Sequence, residues 1–342
     1  MDSRQIGEAP SKTTSRRSSA IDYDVSNELE LSHRPGTVAI LDDEPLFVAM
    51  LKEMLERSSG VEPFENAHRC LAFLQQDSAR WNADFAAQQR VVNDWRSGAA
   101  LIPSILKYWV SSPTARRTLT KVLIIDDHMP GMDGLELLTG LSDWHGTRLL
   151  LLTNEFDEGS IRLALDNGVI DKYVVKKSWD FPKEIRSGVR DLYAREDARC
   201  RLLWSATLHP EQVELLARPD VASELAQKLK HDFEEWFVLG RPFGVIGLDY
   251  TGKSCWLPLS TRASLAEQAE AAIKTGMNSQ AAAEISSGKK LAAVELEQLI
   301  GKQALTLIDT WAPGRTGDLI VATSHIDLSL VAVSASSGVP CE

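Results

Sequence analysis

The sequence predicts a doubly wound α/β unit, a parallel sheet with helices on both faces, followed by a smaller α+β unit. Between residues 37 and 175 short apolar runs alternate with helix-period segments, and two of those runs end in adjacent carboxylates. Beyond residue 240 a pair of apolar runs flanks a Gly-containing turn, the pattern of an antiparallel hairpin. With 342 residues, 44% of them hydrophobic and 25% charged, the chain is long enough for about two domains.

Residues 1–35 are rich in Ser, Arg, Thr, Asp and Glu and hold no sustained apolar period. They bury too little surface to offset the entropy of ordering, so a disordered leader is expected there. Order is expected from Thr37-Val38-Ala39-Ile40-Leu41, a continuous apolar run that reads as a strand covered on both faces. Asp42, Asp43 and Glu44 follow at its carboxyl end. Pro45 suits the first turn of a helix, and Leu46, Phe47, Met50, Leu51, Met54 and Leu55 share one face of it, with Gly60 as its stop.

The same grammar returns at Lys121-Val122-Leu123-Ile124-Ile125, which runs into Asp126-Asp127, a Pro/Gly/Asp loop from Met129 to Gly134, and a helix through Leu141. Arg148 to Leu152 reads as the next strand, Glu158 to Asn167 as a helix stopped by Gly168, and Tyr173-Val174-Val175 as a last short strand. Right-handed crossovers bring the carboxyl ends of such parallel strands to one edge of the sheet.

Residues 77–120 are too many for a simple connection and too apolar for a linker, carrying Trp81, Phe85, Trp95, Ile102, Tyr108 and Trp109. They predict a helical insertion whose aromatic face either packs internally or meets a second copy in a homodimer. From Phe181 to about Phe237 the composition is helical and charge-mixed, with Leu202, Leu203, Leu215, Leu216, Leu225 and Leu229 as core candidates. Phe243 to Leu248 and Ser254 to Leu257 form the hairpin around Asp249-Tyr250-Thr251-Gly252-Lys253. Helical segments are expected near Leu265 to Ile273 and Leu291 to Ile308, and strands at Leu319 to Ala322 and Leu328 to Val333. The resulting division is a leader at 1–35, a first folded unit at 36–195 that contains the insertion, and a second at 196–342.

Composition removes several function classes. A net charge of -11, from 37 Lys and Arg against 48 Asp and Glu, opposes non-specific binding to nucleic acid or to an anionic membrane. The four cysteines, Cys70, Cys200, Cys255 and Cys341, lack the close spacing of a zinc or redox motif and read as buried or incidental thiols of a reducing compartment. The first residues lack a secretory apolar core and no run suffices to cross a bilayer, so a cytoplasmic location is expected. Gly252-Lys253 lacks the other glycines of a phosphate loop and reads as a turn.

Asp42, Asp43 and Asp126 lie at the ends of two strands that should be neighbours, and converging carboxylates repel unless a cation sits among them. Their hard oxygen atoms favour Mg²⁺, which binds through one or two carboxylates plus phosphate oxygens. A carboxylate so placed can attack phosphorus while the cation offsets charge on the transferred oxygens, which makes Asp126 a candidate nucleophile.

Leu41-Asp42-Asp43-Glu44-Pro45, Asp126-x-x-Met129-Pro130-Gly131-Met132-Asp133-Gly134, Leu151-Leu152-Thr153 and Tyr173-Val174-Val175-Lys176 resemble, in order and strand context, the motifs of two-component response-regulator receiver domains. The resemblance spans about residues 36–191, apart from the insertion. It implies a flavodoxin-like, five-stranded parallel sheet. It also implies Asp126 as phosphoacceptor, Asp42 and Asp43 arranging Mg²⁺ with the backbone carbonyl of His128, Thr153 donating a hydroxyl to the phosphoryl group, Lys176 setting an ammonium against it, and Tyr173 as an aromatic switch. Sensor histidine kinases or phosphotransfer proteins are the implied partners. Lys177 stands where that family usually has proline, Asp127 adds a carboxylate beside the acceptor, and His128 and Glu155 occupy positions that influence the lifetime of the acyl phosphate.

The second unit shows no helix-turn-helix pattern and no synthase or phosphodiesterase signature, so no stand-alone enzymatic activity is expected. The overall plan is similar to the response regulators of bacterial α-hydroxyketone quorum sensing, the Lqs type. Two competing readings remain: a receiver fold that serves as a phosphorylation-independent scaffold, and a second unit that binds nucleotide or nucleic acid.

Overall fold

The computed structural model describes residues 29–56, 60–111, 117–130, 132–133, 146–154, 158–292 and 307–328. In chain order its first elements are β1 (Ser32–His33), β2 (Thr37–Leu41), α1 (Pro45–Leu55), β3 (Gly60–Phe64), α2 (Ala67–Arg96), α3 (Leu101–Ser111) and β4 (Thr120–Asp126). Then come β5 (His128–Met129), β6 (Met132–Asp133), β7 (Arg148–Thr153), α4 (Glu158–Asp166), β8 (Lys172–Val175) and α5 (Phe181–Tyr193).

Five parallel strands form one sheet in the order β3-β2-β4-β7-β8, the doubly wound flavodoxin-like arrangement. Alternate residues of each strand enter opposite cores. Val38, Ile40, Val122, Ile124, Leu150 and Leu152 pack on α1 and α5. Ala39, Leu41, Leu123, Ile125, Leu149 and Leu151 pack on the first turns of α2 and on α4. This two-sided burial explains why the strands read as unbroken apolar runs.

Some expectations are corrected. Gly60 does not stop α1, which ends at Leu55; it opens β3, an edge strand that the sequence reading passed over. Pro63, which lacks an N–H, and exposed Glu62 are tolerated there because an edge strand needs pairing on one side only. Gly168 does end α4, with φ of 66°. The helix expected through Leu141 lies outside the described residues.

The second unit adds α6 (Ala198–Ser205), α7 (Pro210–Leu216), α8 (Pro219–Asp232), β9 (Glu235–Gly240), β10 (Phe243–Leu248), β11 (Ser254–Thr261), α9 (Leu265–Lys274) and α10 (Ser279–Ser286). It closes with β12 (Lys290–Leu291), β13 (Ile308–Trp311), β14 (Leu319–Ala322) and β15 (Ile326–Asp327). These strands make an antiparallel sheet in the order β1-β9-β10-β11-β14-β13-β12, with β15 also on β11. The expected hairpin is β10–β11, whose turn places Gly252 at φ +84°. The helical stretch expected to reach Phe237 instead gives way to β9 at Glu235, a strand whose six residues are all buried. Residues 290–291 and 308 are strand rather than the ends of a helix, and the expected helix between them lies outside the described residues, as does the expected strand beyond Leu328. Leu202 is exposed, while Leu215, Leu216, Leu225 and Leu229 are core.

The boundaries expected at residues 35 and 195 do not separate the packing. Leu29 and Leu31 are buried, and Ser32–His33 pairs with Trp236 and Phe237, so the N-terminal edge belongs to the second sheet. The insertion is helical, as expected, and its apolar face packs internally: Val91, Val92, Ile102, Ile105, Tyr108 and Trp109 share one core with Trp204, Leu225, Trp236, Phe237 and Trp256. Helix α2 runs 30 residues without a break, beginning under the parallel sheet and ending inside the other core.

Candidate functional site

Strands β2 and β4 run parallel in register, Leu41 beside Ile125, so the residues that follow them emerge together at the carboxyl edge. Asp42 is wholly buried and Asp126 nearly so, and carboxylate oxygens of Asp42, Asp43 and Asp126 lie within 4.8 Å of one another. Asp42 Oδ1 accepts the Glu44 N–H at 2.9 Å, which fixes the first turn after the strand and aims the second oxygen inward. Asp127 N–H donates to the Leu152 carbonyl at 2.8 Å, and so continues the β4–β7 ladder one residue past the end of β4.

Strand β8 supplies the counter-charge. Lys176 follows it, its N–H donating to the Thr153 carbonyl at 2.8 Å, and its ammonium lies 2.7 Å from Asp42 Oδ2 and 2.9 Å from Asp126 Oδ1. The same Nζ sits 4.6 Å from the centre of the Phe47 ring, a cation–π contact supplied by the first turn of α1. Thr153, at the end of β7, is buried beside Asp126 because the β4–β7 register sets Leu152 opposite it.

Electrostatics follow from this crowding. Burial raises the Asp126 carboxyl above its ordinary value, Lys176 opposes that shift, and Asp42 and Asp43 add to it. For Lys176 burial pulls the other way, yet its bonds to Asp42 and Asp126 outweigh burial and hold it protonated more firmly than an ordinary lysine. One ammonium thus faces three carboxylates, and a net negative charge remains in a site open to solvent along Asp43, Glu44, Asp126, Asp127, His128, Met129, Pro130 and Asn154. The donor set fits Mg²⁺: hard oxygens, an uncompensated charge, and an open side where waters and phosphate oxygens would complete a shell.

The residues singled out in the sequence therefore meet. Asp42, Asp43, Asp126 and Lys176 converge at the strand ends, and buried Thr153 closes the neighbouring strand β7; Tyr173 packs lower down on the Ala39–Leu41 side of the sheet, with Leu151 as its strand partner. The His128 side chain is exposed, with Nδ1 3.1 Å from Asp127 Oδ2. Glu155 lies outside the described residues. At Lys177 the chain turns after β8, Ser178 N–H donating to the Val175 carbonyl at 3.0 Å. Phe47 and Asn154 were not singled out in the sequence; Phe47 sat among the apolar residues of α1 and nothing in its spacing distinguished it from core.

No protein-family model matches the chain and no curated protein matches it. Among solved structures it is similar to the Legionella pneumophila response regulator LqsR, at 17% identity over 87% of this chain and 88% of that one, with a TM-score of 0.60. It also matches the receiver domain of an HD-domain-containing protein from Pseudomonas fluorescens at 19% identity over 47% of this chain and 94% of that one, TM-score 0.30. The chemotaxis response regulator CheY4 of Vibrio cholerae aligns at 18% identity over 46% of this chain and 98% of that one, TM-score 0.30. The likeness to LqsR spans both units, so the two-unit arrangement is a fold shared with a solved response regulator.

Proposed function

We propose that the chain is a response regulator of a two-component phosphorelay, phosphorylated on Asp126 and signalling through its second unit. The observation that carries this reading is the position of Lys176, whose ammonium bonds to both Asp42 and Asp126 at the carboxyl edge of the sheet. An Asp126 oxygen attacks the phosphorus of a phosphohistidine or a small acyl phosphate; the P–N or P–O bond to the donor breaks, and the mixed anhydride forms on Asp126. Lys176 then turns from the carboxylate to the phosphoryl oxygens, and the Thr153 hydroxyl donates to one of them. Asp42, Asp43, Asp126 and the His128 carbonyl would hold Mg²⁺. When bound, the ion offsets the charge that develops on the transferred oxygens. As Thr153 moves toward the phosphoryl group, Tyr173 repacks on its face of the sheet and biases the population of the second unit's states. A sensor histidine kinase or phosphotransfer protein supplies the phosphoryl group, and the overall plan is similar to that of the Lqs-type response regulators.

The test is intact-mass measurement after incubation with acetyl phosphate and Mg²⁺. Wild type gains a single phosphoryl group and Asp126→Asn gains none. Unchanged mass in wild type at saturating donor would sink the proposal in favour of a phosphorylation-independent scaffold.

A further inference from the structure

We propose that Asp249, Cys255 and His325 form a second metal centre, built to hold a borderline transition ion of the Zn²⁺ class through a carboxylate oxygen, a thiolate sulfur and an imidazole nitrogen. Ligand atoms of the three residues all lie within 4.8 Å of one another. Three separate pieces of chain bring them together. Asp249 opens the β10–β11 turn, Cys255 lies one residue inside β11, and His325 immediately precedes β15, which pairs with β11 so that Asp327 faces Cys255. The antiparallel register, rather than sequence proximity, assembles the trio.

Each member is placed as a ligand needs to be. Asp249 Oδ1 is taken by the turn, accepting the Thr251 N–H at 2.8 Å, the Thr251 hydroxyl at 2.6 Å and the Lys253 N–H at 3.0 Å. These bonds hold the carboxylate rigidly and, among the described residues, leave Oδ2 without a hydrogen-bond donor. The His325 ring leans on Phe233 with centroids 5.8 Å apart, and among the described residues neither of its nitrogens makes a hydrogen bond. Cys255 is buried, and among the described residues its Sγ has the Lys253 carbonyl, at a long 3.7 Å, as its hydrogen-bond partner. Asp327 is the strand partner of Cys255 and the Asp249 carboxylate lies beside its sulfur, so the acidic surroundings favour a cation.

Donor chemistry selects the class of ion. A thiolate and an imidazole with one carboxylate form a mixed S/N/O set that suits Zn²⁺ or Co²⁺ and is unsuited to Mg²⁺ or Ca²⁺. Binding exchanges the thiol proton for the metal–sulfur bond, the proton leaving to solvent, with no change of oxidation state. Exposed His325 marks the side from which an ion would enter and from which a water would supply the remaining ligand. A cysteine nucleophile assisted by His325 is the other reading of the same three groups; burial of Cys255 to 1% exposure leaves no approach for a substrate carbonyl.

The test uses full-length protein dialysed free of metal and titrated with Co²⁺, read by absorbance. Wild type should develop a sulfur-to-cobalt charge-transfer band that saturates at a single equivalent. Cys255→Ser should lose the band, His325→Gln should weaken cobalt affinity by roughly 10-fold or more, and Asp126→Asn should retain it, separating this centre from the strand-end site. Should Cys255→Ser fail to fold, exposed His325 decides: a band of undiminished affinity in His325→Gln, or no band in wild type, overturns the proposal.

Discussion

Lys176 is the residue on which the strand-end pocket balances. Its side chain is 8% exposed between carboxylates that are themselves buried, and removal of one member of a buried ionic cluster costs far more than loss of a surface pair. Lys176→Met should therefore destabilise the protein by about 3 kcal/mol, measured by chemical denaturation, and Mg²⁺ should recover part of that loss because a cation takes over the ammonium's place among Asp42, Asp43 and Asp126. A variant as stable as wild type without metal, or one that ignores Mg²⁺, would contradict the electrostatic account. At this scale the strand-end site was legible in advance, since an apolar run that stops on carboxylates encodes both the strand and the location of its charged end. Phe47 was not, because whether an apolar residue in a first helical turn faces the core or covers an ammonium depends on how α1 docks. The trio of Asp249, Cys255 and His325 was equally hidden, since only the pairing of β11 with β15 unites residues so distant in sequence.

Among the elements, α2 departs furthest from what its sequence announced. Asn66 caps it, accepting the Arg69 N–H, and Cys70 and Leu74 lie beneath the parallel sheet. Two turns later Trp81 donates to the Thr120 carbonyl at 3.1 Å, and beyond it Gln88 accepts from Trp204 Nε1 at 2.7 Å in the other core. Trp204 also packs on Phe237 with centroids 4.2 Å apart. Trp204→Phe keeps most of the ring packing but strands the Gln88 carbonyl oxygen in the interior, so the urea midpoint should fall by an amount worth about 1–3 kcal/mol. Equal midpoints would show that the bond contributes nothing. The helical character of residues 77–120 was readable from composition, whereas the side on which they pack was not: an aromatic face looks the same whether its partner is its own sheet, another unit or another copy. The edge strand β3 and the buried strand β9 were missed for opposite reasons, β3 because Pro63 and Glu62 break the apolar pattern, β9 because an unbroken six-residue burial carries no period.

For the whole molecule, the junction between the two sheets is a buried charged seam. Glu196 accepts the Leu31 N–H at 3.1 Å and the Ser32 N–H at 2.7 Å, and so fastens β1 across to the segment that follows α5. Burial pushes its carboxyl up to about 7 from 4.5. An acid whose folded value is raised imposes no penalty below its ordinary value and its full penalty above the raised one. Stability should accordingly decline by about 3 kcal/mol from this group as pH rises from 4.5 to 7. Glu196→Gln should flatten that slope in denaturation curves at a series of pH values, and an unchanged slope would assign the dependence to other groups. Because the second core draws on Leu29, Leu31, α2 and α3, residues 196–342 expressed alone should show no cooperative unfolding transition, while the full chain does. A sharp transition in the fragment would restore the boundary expected from sequence. The pairing of Ser32–His33 with Trp236–Phe237 has one more consequence, for biosynthesis. Strand β1 leaves the ribosome without its neighbour until some two hundred further residues have been translated, a delay set by the separation of His33 and Trp236. The parallel sheet can close during that interval, but the greasy flanks of the two inserted helices must stay open to solvent or to a chaperone until β9 arrives.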